Sequence, residues 1–200
     1  AIFPPTSVPS SHDGTTLGSG AYTKASITYL DKNGMDVNTA SPGGHITTTE
    51  YDNLGNTTRE LTAADRELAL GITTSADPRV AGAIANAGSP ADAAGLLSTT
   101  TTYETAADGL ELVSDEYGPL HTITLQHALA GGASAADLAA GDETLARTHT
   151  AYAYDENRPS TAAVSDLLTS STAGAAVPLY PSDGESRPRP RPTTGPPACH

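Results

Sequence analysis

One short phrase returns along this chain with variations, and it constrains the fold more than any other feature. It reads Ile27-Thr-Tyr29-Leu-Asp31-Lys-Asn-Gly34, then Thr48-Thr-Glu-Tyr51-Asp52-Asn-Leu-Gly55-Asn-Thr-Thr-Arg59. Looser copies stand at Thr101-Thr-Tyr103-Glu104 with Asp108-Gly109, and at Thr150-Ala-Tyr152-Ala-Tyr154-Asp155-Glu-Asn157-Arg158. Each copy is a Thr/Tyr stretch, an acid, and a turn residue. Units of this kind bury their apolar faces on their neighbours, so the chain reads as an array rather than as one closed catalytic core.

The local signals are those of antiparallel hairpins. Ile27 and Tyr29 alternate with Ser26 and Thr28, as a half-buried strand requires. Asn33-Gly34 suits a two-residue type I′ hairpin turn, and Pro42-Gly43-Gly44 makes a second turn. Strands over 46–51 and 57–61 pair across Asp52–Asn56, with Gly55 in the left-handed position. Further strands are expected near 98–103, 110–113, 121–125 and 148–154, with Thr suiting the wet face of a pleated sheet. Between them the period changes. Asp77-Pro78 and Ser89-Pro90-Ala-Asp92 read as helix caps followed by proline in the first turn. Ser134 to Asp137 carries a similar cap, so helical insertions are expected near 77–97 and 134–146.

The second copy, Tyr51-Asp52-Asn-Leu-Gly55-Asn-Thr-Thr-Arg-Glu-Leu61, resembles the YD repeat of the RHS family of large secreted or surface-attached bacterial proteins, many of them toxin carriers. The likeness is firm over about 46–61, fair over 27–38, and loose around 101–125 and 150–158. It implies an all-β fold in which successive hairpins build a sheet that spirals into a shell, able to enclose a C-terminal effector. The motif positions are then Tyr29, Asp31, Gly34, Tyr51, Asp52, Gly55, Tyr103, Tyr154 and Asp155. Each tyrosine is expected at an equivalent strand end with its ring packed on the next hairpin. Each adjacent acid (Asp31, Asp52, Glu104, Asp155) is expected to accept a backbone N–H and close the turn.

Composition supports an array and narrows function. Leu, Ile, Val and Phe together make 31 of the 200 residues, which is little core for a closed domain. The formal net charge is −13, with all 23 acids and seven of the ten bases in the first 186 residues. So acidic a body repels phosphates, which argues against nucleic acid as a partner. Cys199 stands alone, so no disulfide can form within the chain. No apolar run approaches the length of a membrane span. The chain begins at Ala1 without a basic and then apolar leader, as expected of a fragment or processed product.

Three regions follow: a linker-like entry over 1–20, a hairpin region with helical insertions over 21–169, and a disordered Pro/Arg-rich tail over 170–200. Arg187-Pro-Arg-Pro-Arg-Pro192 favours extended polyproline II conformation.

No catalytic residue stands out. His121 and His127 lie six apart, without the four-residue spacing of helical zinc motifs. Asp31-Lys-Asn33-Gly-Met-Asp36 only half matches a calcium loop, and no Gly-x-Ser-x-Gly elbow occurs. No cofactor and no metal are expected. The expected role is structural, in a secreted or cell-surface protein, with neighbouring repeats as partners and an enclosed toxin as cargo. The alternatives are a glycan- or cell-wall-binding module using the same Thr/Tyr face, and a secreted hydrolase with a dispersed site.

Overall fold

The computed structural model describes residues 1–106, 108–131 and 135–177. The proline/arginine tail and Cys199 lie outside them. Among the described residues nine antiparallel strands and three short helices dominate, so that these residues are mostly antiparallel β-sheet. Two compact units divide the chain: residues 1–101 with 118–120, and 102–117 with 121 onward.

In the first unit a meander of β1 (Ile27–Leu30), β2 (Asp36–Ala40), β3 (Ile46–Tyr51) and β4 (Thr57–Leu61) pairs strand to neighbouring strand. Threonine is frequent on these strands because its branched Cβ favours extended backbone while its hydroxyl stays wet. The chain then leaves the sheet for α1 (Ala63–Ala69), α2 (Pro78–Asn86) and α3 (Pro90–Leu97). It returns as β5 (Thr99–Thr105), whose Thr99 and Thr100 pair with Glu60 and Arg59 of β4.

All three helices start on the sequence signal that should start them. Asp77 accepts from the Arg79 and Val80 amides, and Ser89 Oγ accepts from the Asp92 amide, each with proline at the first helical position. Thr62 does the same for α1, accepting from the Asp65 amide at 3.2 Å. This helix was not among those expected, although Thr62-x-x-Asp65 has the form of Ser89-x-x-Asp92. The buried apolar residues of this unit include Ala25, Ala40 and Leu61 along the meander and Ala69, Val80, Ala93 and Leu97 on the helices. His45, in the turn between β2 and β3, holds Glu67 of α1 at 2.7 Å.

The second unit contains the rest of β5 with β6 (Glu111–Tyr117), β7 (His121–Thr124), β8 (Glu143–Tyr154) and β9 (Leu168–Ala176). Both β6 and β7 pair with the long β8, and β9 pairs with it over eight positions from Arg147↔Ala176 to Tyr154↔Leu168. Its small core is Leu125, Ala146 and Val177, with Ile123, Leu129 and Leu138 packed against it.

Two expectations need correction. Ser134, the expected start of a helix, lies outside the described residues, and residues 135–142 form loop before β8 begins at Glu143. Asp137 accepts from the Gly131 amide, and Leu129 bridges Leu138, so tertiary pairing of the leucines overrides the helix propensity of the alanines. Residues 170–176, expected as patternless tail, are most of β9. The entry segment 1–20 is irregular but tied down: it contains short 3₁₀ turns, and Ile2 exchanges both backbone hydrogen bonds with Ser26 at 2.8 Å.

Candidate functional site

The repeated positions converge on one turn geometry. In the first copy the Asp31 amide donates to Met35 O at 2.9 Å and the Gly34 amide donates to Asp31 O at 3.1 Å. In the second the Asp52 amide donates to Asn56 O at 3.0 Å and the Gly55 amide to Asp52 O at 3.3 Å. This is a three-residue hairpin loop in which a type I turn is followed by a left-handed residue. Gly34 and Gly55 take that position, with φ of 84° and 94°. Asn33 has no positive φ, so the two-residue I′ turn expected at Asn33-Gly34 does not form.

The aspartate at the head of each loop stitches it shut. Asp31 Oδ1 accepts from the Asn33 and Met35 amides at 2.8 and 2.9 Å. Asp52 Oδ1 accepts from the Leu54 and Asn56 amides at 2.8 and 2.9 Å, and Oδ2 from Asn56 Nδ2 at 2.9 Å. These bonds favour the charged carboxylate. The Met35 amide is the largest influence lowering Asp31, and the Asn56 side chain is the largest lowering Asp52.

The copy at Asp155 closes a longer loop in a related way, although Asp155 itself has φ of 49° and its carbonyl accepts from the Arg158 amide rather than from the left-handed residue. The Asp155 amide donates to Leu167 O at 2.9 Å, and Asp155 accepts from the Ser165, Asp166 and Leu167 amides at 2.9, 3.3 and 3.2 Å. Asp166 takes the left-handed place of Gly34 and Gly55, with φ of 51°. Aspartate is among the few residues that tolerate it. Led by the Ser165 backbone and hydroxyl, these donors hold Asp155 down at about 2. Asp166 is pushed the other way, by burial first and then by the carboxyl of Asp108 beside it.

The copy at 101–110 keeps the loop and misplaces the acid. Its closing bonds run from the Ala106 amide to Leu110 O and from the Gly109 amide to Ala106 O, at 2.7 and 2.9 Å. Alanine therefore stands at the aspartate position, and Glu104 lies two residues ahead of it on β5. Asp108, inside the loop, accepts from the Leu110 amide at 3.1 Å instead.

The tyrosines are not all equivalent. Tyr51 and Tyr154 directly precede their aspartates, and each hydroxyl reaches back to an earlier strand: Tyr51 to Asp36 O at 3.2 Å, Tyr154 to Val113 O at 2.9 Å. Tyr29 precedes its aspartate by two residues and is 50% exposed. Tyr103 lies three before Ala106, within β5. At Tyr51 and Tyr154 the hydroxyl thus contacts a strand that comes earlier in the chain.

A bulge accompanies the turn in three hairpins. Pairing steps from Tyr29↔Asn38 to Leu30↔Asp36, from Glu50↔Arg59 to Tyr51↔Thr57, and from Ala153↔Ser170 to Tyr154↔Leu168. Val37, Thr58 and Thr169 are the extra residues, and such bulges increase local twist.

Between the Asp31 and Asp52 turns lies an open groove of about 730 Å³ whose lining includes Lys32, Asn33, Asn38, Glu50, Tyr51 and Asn53. Its polar lining is partly self-paired: Thr48 donates to Asn38 Oδ1 at 2.7 Å, and Glu50 pairs with Arg59. A second polar cluster sits in the other unit. His149, 6% exposed, bonds Asp115 at 2.9 Å and stacks on Tyr117 with centroids 4.3 Å apart. Burial pushes Asp115 up, but the bond to His149, with those from Ser114 and Thr102, outweighs it and leaves the carboxyl below its usual value. Here the hydroxyl of Thr102 reaches the aspartate, whereas a nucleophilic triad needs a hydroxyl on the free nitrogen of the histidine.

His121 begins β7 and His127 lies in the bend beyond it. Among the described residues no three His, Cys, Asp or Glu side chains are placed to hold a metal ion, and no helix is long and apolar enough to cross a membrane. Comparison with known protein families, with characterised proteins and with solved structures finds no match to this chain.

Proposed function

We propose that this chain is a structural length of a hairpin array of the RHS/YD-repeat kind, part of a β-shell or stalk in a large secreted or surface-attached bacterial protein that encloses a toxin. The observation that carries the reading is the double role of the Tyr-Asp pair. Asp52 and Asp155 each close their own turn, while Tyr51 and Tyr154 each bond an earlier strand through the hydroxyl. A dipeptide that both ends one hairpin and ties it to its predecessor is what a repeating array needs and what an isolated hairpin has no use for.

The groove between the Asp31 and Asp52 turns favours a second reading, a module that binds glycans through Asn33, Asn38, Glu50 and Tyr51. A glycan array on the full chain separates the two. An array segment retains no glycan selectively. Selective retention that disappears on Asn38→Ala or Tyr51→Ala would overturn the structural reading in favour of the binding module.

A further inference from the structure

We propose that Asn33-Gly34 is a self-modifying site, at which Asn33 converts slowly to aspartate and isoaspartate, and that the Asp31 carboxylate sets the rate. Of the six asparagines in the chain, only Asn33 is followed by glycine. Both residues are exposed, and a Cβ built on Gly34 would meet nothing within 4 Å, so no packing shields the pair. The chemistry needs only water. The Gly34 amide nitrogen gives up its proton to base and attacks Cγ of Asn33. The Cγ–Nδ2 bond then breaks and ammonia leaves, forming a succinimide. Water adds to either ring carbonyl, which restores an open chain carrying aspartate or isoaspartate at position 33.

The turn opposes the first step. The attacking nitrogen is occupied, because the Gly34 amide donates to Asp31 O at 3.1 Å. The residue under attack is also held: the Asn33 amide donates to Asp31 Oδ1 at 2.8 Å and its Nδ2 lies 3.4 Å from Asp31 Oδ2. Reaction therefore waits for local opening of a loop that Asp31 closes. Once formed, the aspartate product places a carboxylate where the carboxamide had faced Asp31, and the isoaspartate product turns that same carbon into main chain and leaves the former backbone carbonyl carbon as the free carboxylate. Isoaspartate also adds a backbone carbon inside a loop closed by the bond from the Asp31 amide to Met35 O. The modified turn cannot close as before, so the hairpin of β1 and β2 loosens with the age of the molecule.

The test is a time course of the full chain at mildly alkaline pH, with and without urea, reading the Asn33 peptide by mass and isoaspartate by enzymatic methylation. Conversion in urea should run several-fold faster than in native buffer. Asp31→Ala, which removes the carboxylate but keeps the backbone bond to the Gly34 amide, should raise the native rate several-fold toward the urea rate while leaving the urea rate unchanged. Asp52→Ala, which opens the neighbouring turn instead, should leave Asn33 at the native rate. Equal rates with and without urea, no conversion of Asn33 in urea, no effect of Asp31→Ala, or equal acceleration by Asp52→Ala would each overturn the proposal.

Discussion

Tyr51 and Asp36 stand fifteen residues apart in sequence, yet the tyrosine hydroxyl donates to the aspartate's backbone carbonyl at 3.2 Å. Asp36 opens β2 just beyond the first acid-anchored turn, and Tyr51 closes β3 just ahead of the second. The contact joins one hairpin to the next. Tyr51→Phe deletes this bond and keeps the ring, so it should cost about 1 kcal/mol in a urea titration. Tyr154→Phe should cost a similar amount through the lost bond to Val113 O. An unchanged midpoint in both variants would remove the hydroxyls from the account of how the hairpins are joined.

The anchoring aspartates make stability depend on acid in a defined direction. Asp155 is held at about 2, and Asp31 and Asp52 are lowered as well. Their folded values lie below the unfolded value of about 3.9. The stabilisation is therefore present above that value and is lost as pH falls through the folded value. Urea midpoints should fall steadily below about pH 4, and Asp155→Asn should flatten that slope while lowering stability at neutral pH.

Asp166 should act in the opposite sense. Burial and the neighbouring Asp108 raise its folded value, so its charged form costs stability above the unfolded value and costs nothing below it. Asp166→Asn keeps a residue that tolerates the left-handed backbone and removes the charge. Its melting temperature should exceed that of the parent at neutral pH, with the gain vanishing in acid. A gain that persists in acid would assign the effect to something other than charge.

Gly34 and Gly55 separate conformational cost from packing. A Cβ at Gly34 meets nothing, and one at Gly55 meets only Met35 Cε at 3.9 Å, an ordinary contact. Their φ values are nevertheless positive. Alanine at either position should therefore cost about 1–2 kcal/mol from backbone strain alone. Asparagine should cost less than alanine, and denaturant midpoints of both series would show it.

His149→Ala leaves the Asp115 carboxylate without its nearest partner in a half-buried setting, at a cost of about 2 kcal/mol. A double-mutant cycle with Asp115→Ala should return a coupling of at least 0.5 kcal/mol, as expected for groups in contact.

How much of this was legible follows from how local each signal is. The turn at Asp52 was readable because acid and glycine fall within a few residues of each other, and at Asp31 the same signal gave the place of the turn but not its three-residue form. The caps at Asp77 and Ser89 are local in the same way, and Thr62-x-x-Asp65 carries an equal signal. The turn at Asp155 was readable only by half. Its left-handed position is an aspartate, Asp166, separated from the anchor by a segment no motif spans. β9 was invisible because Leu168-Thr-Ser-Ser-Thr-Ala-Gly-Ala-Ala176 has no alternation of its own and is a strand through its pairing with β8. The misaligned copy at 101–110 shows the limit of matching letters. Backbone closure starts at Ala106, while the acid that suggested the match, Glu104, lies outside the loop.

Asp31 and Asp155 anchor hairpin loops of very different length. From anchor to the donor that first closes the loop is two residues at Asp31 and Asn33, and ten at Asp155 and Ser165. Across a loop longer by eight residues, the bond from the anchor amide to the returning strand, a left-handed residue before it and the bulged register all recur. The hairpin ends therefore accept new sequence without redrawing the sheet behind them. Foreign peptides could be grafted between Asp155 and Ser165 and displayed there, while the strands on either side stay as they were.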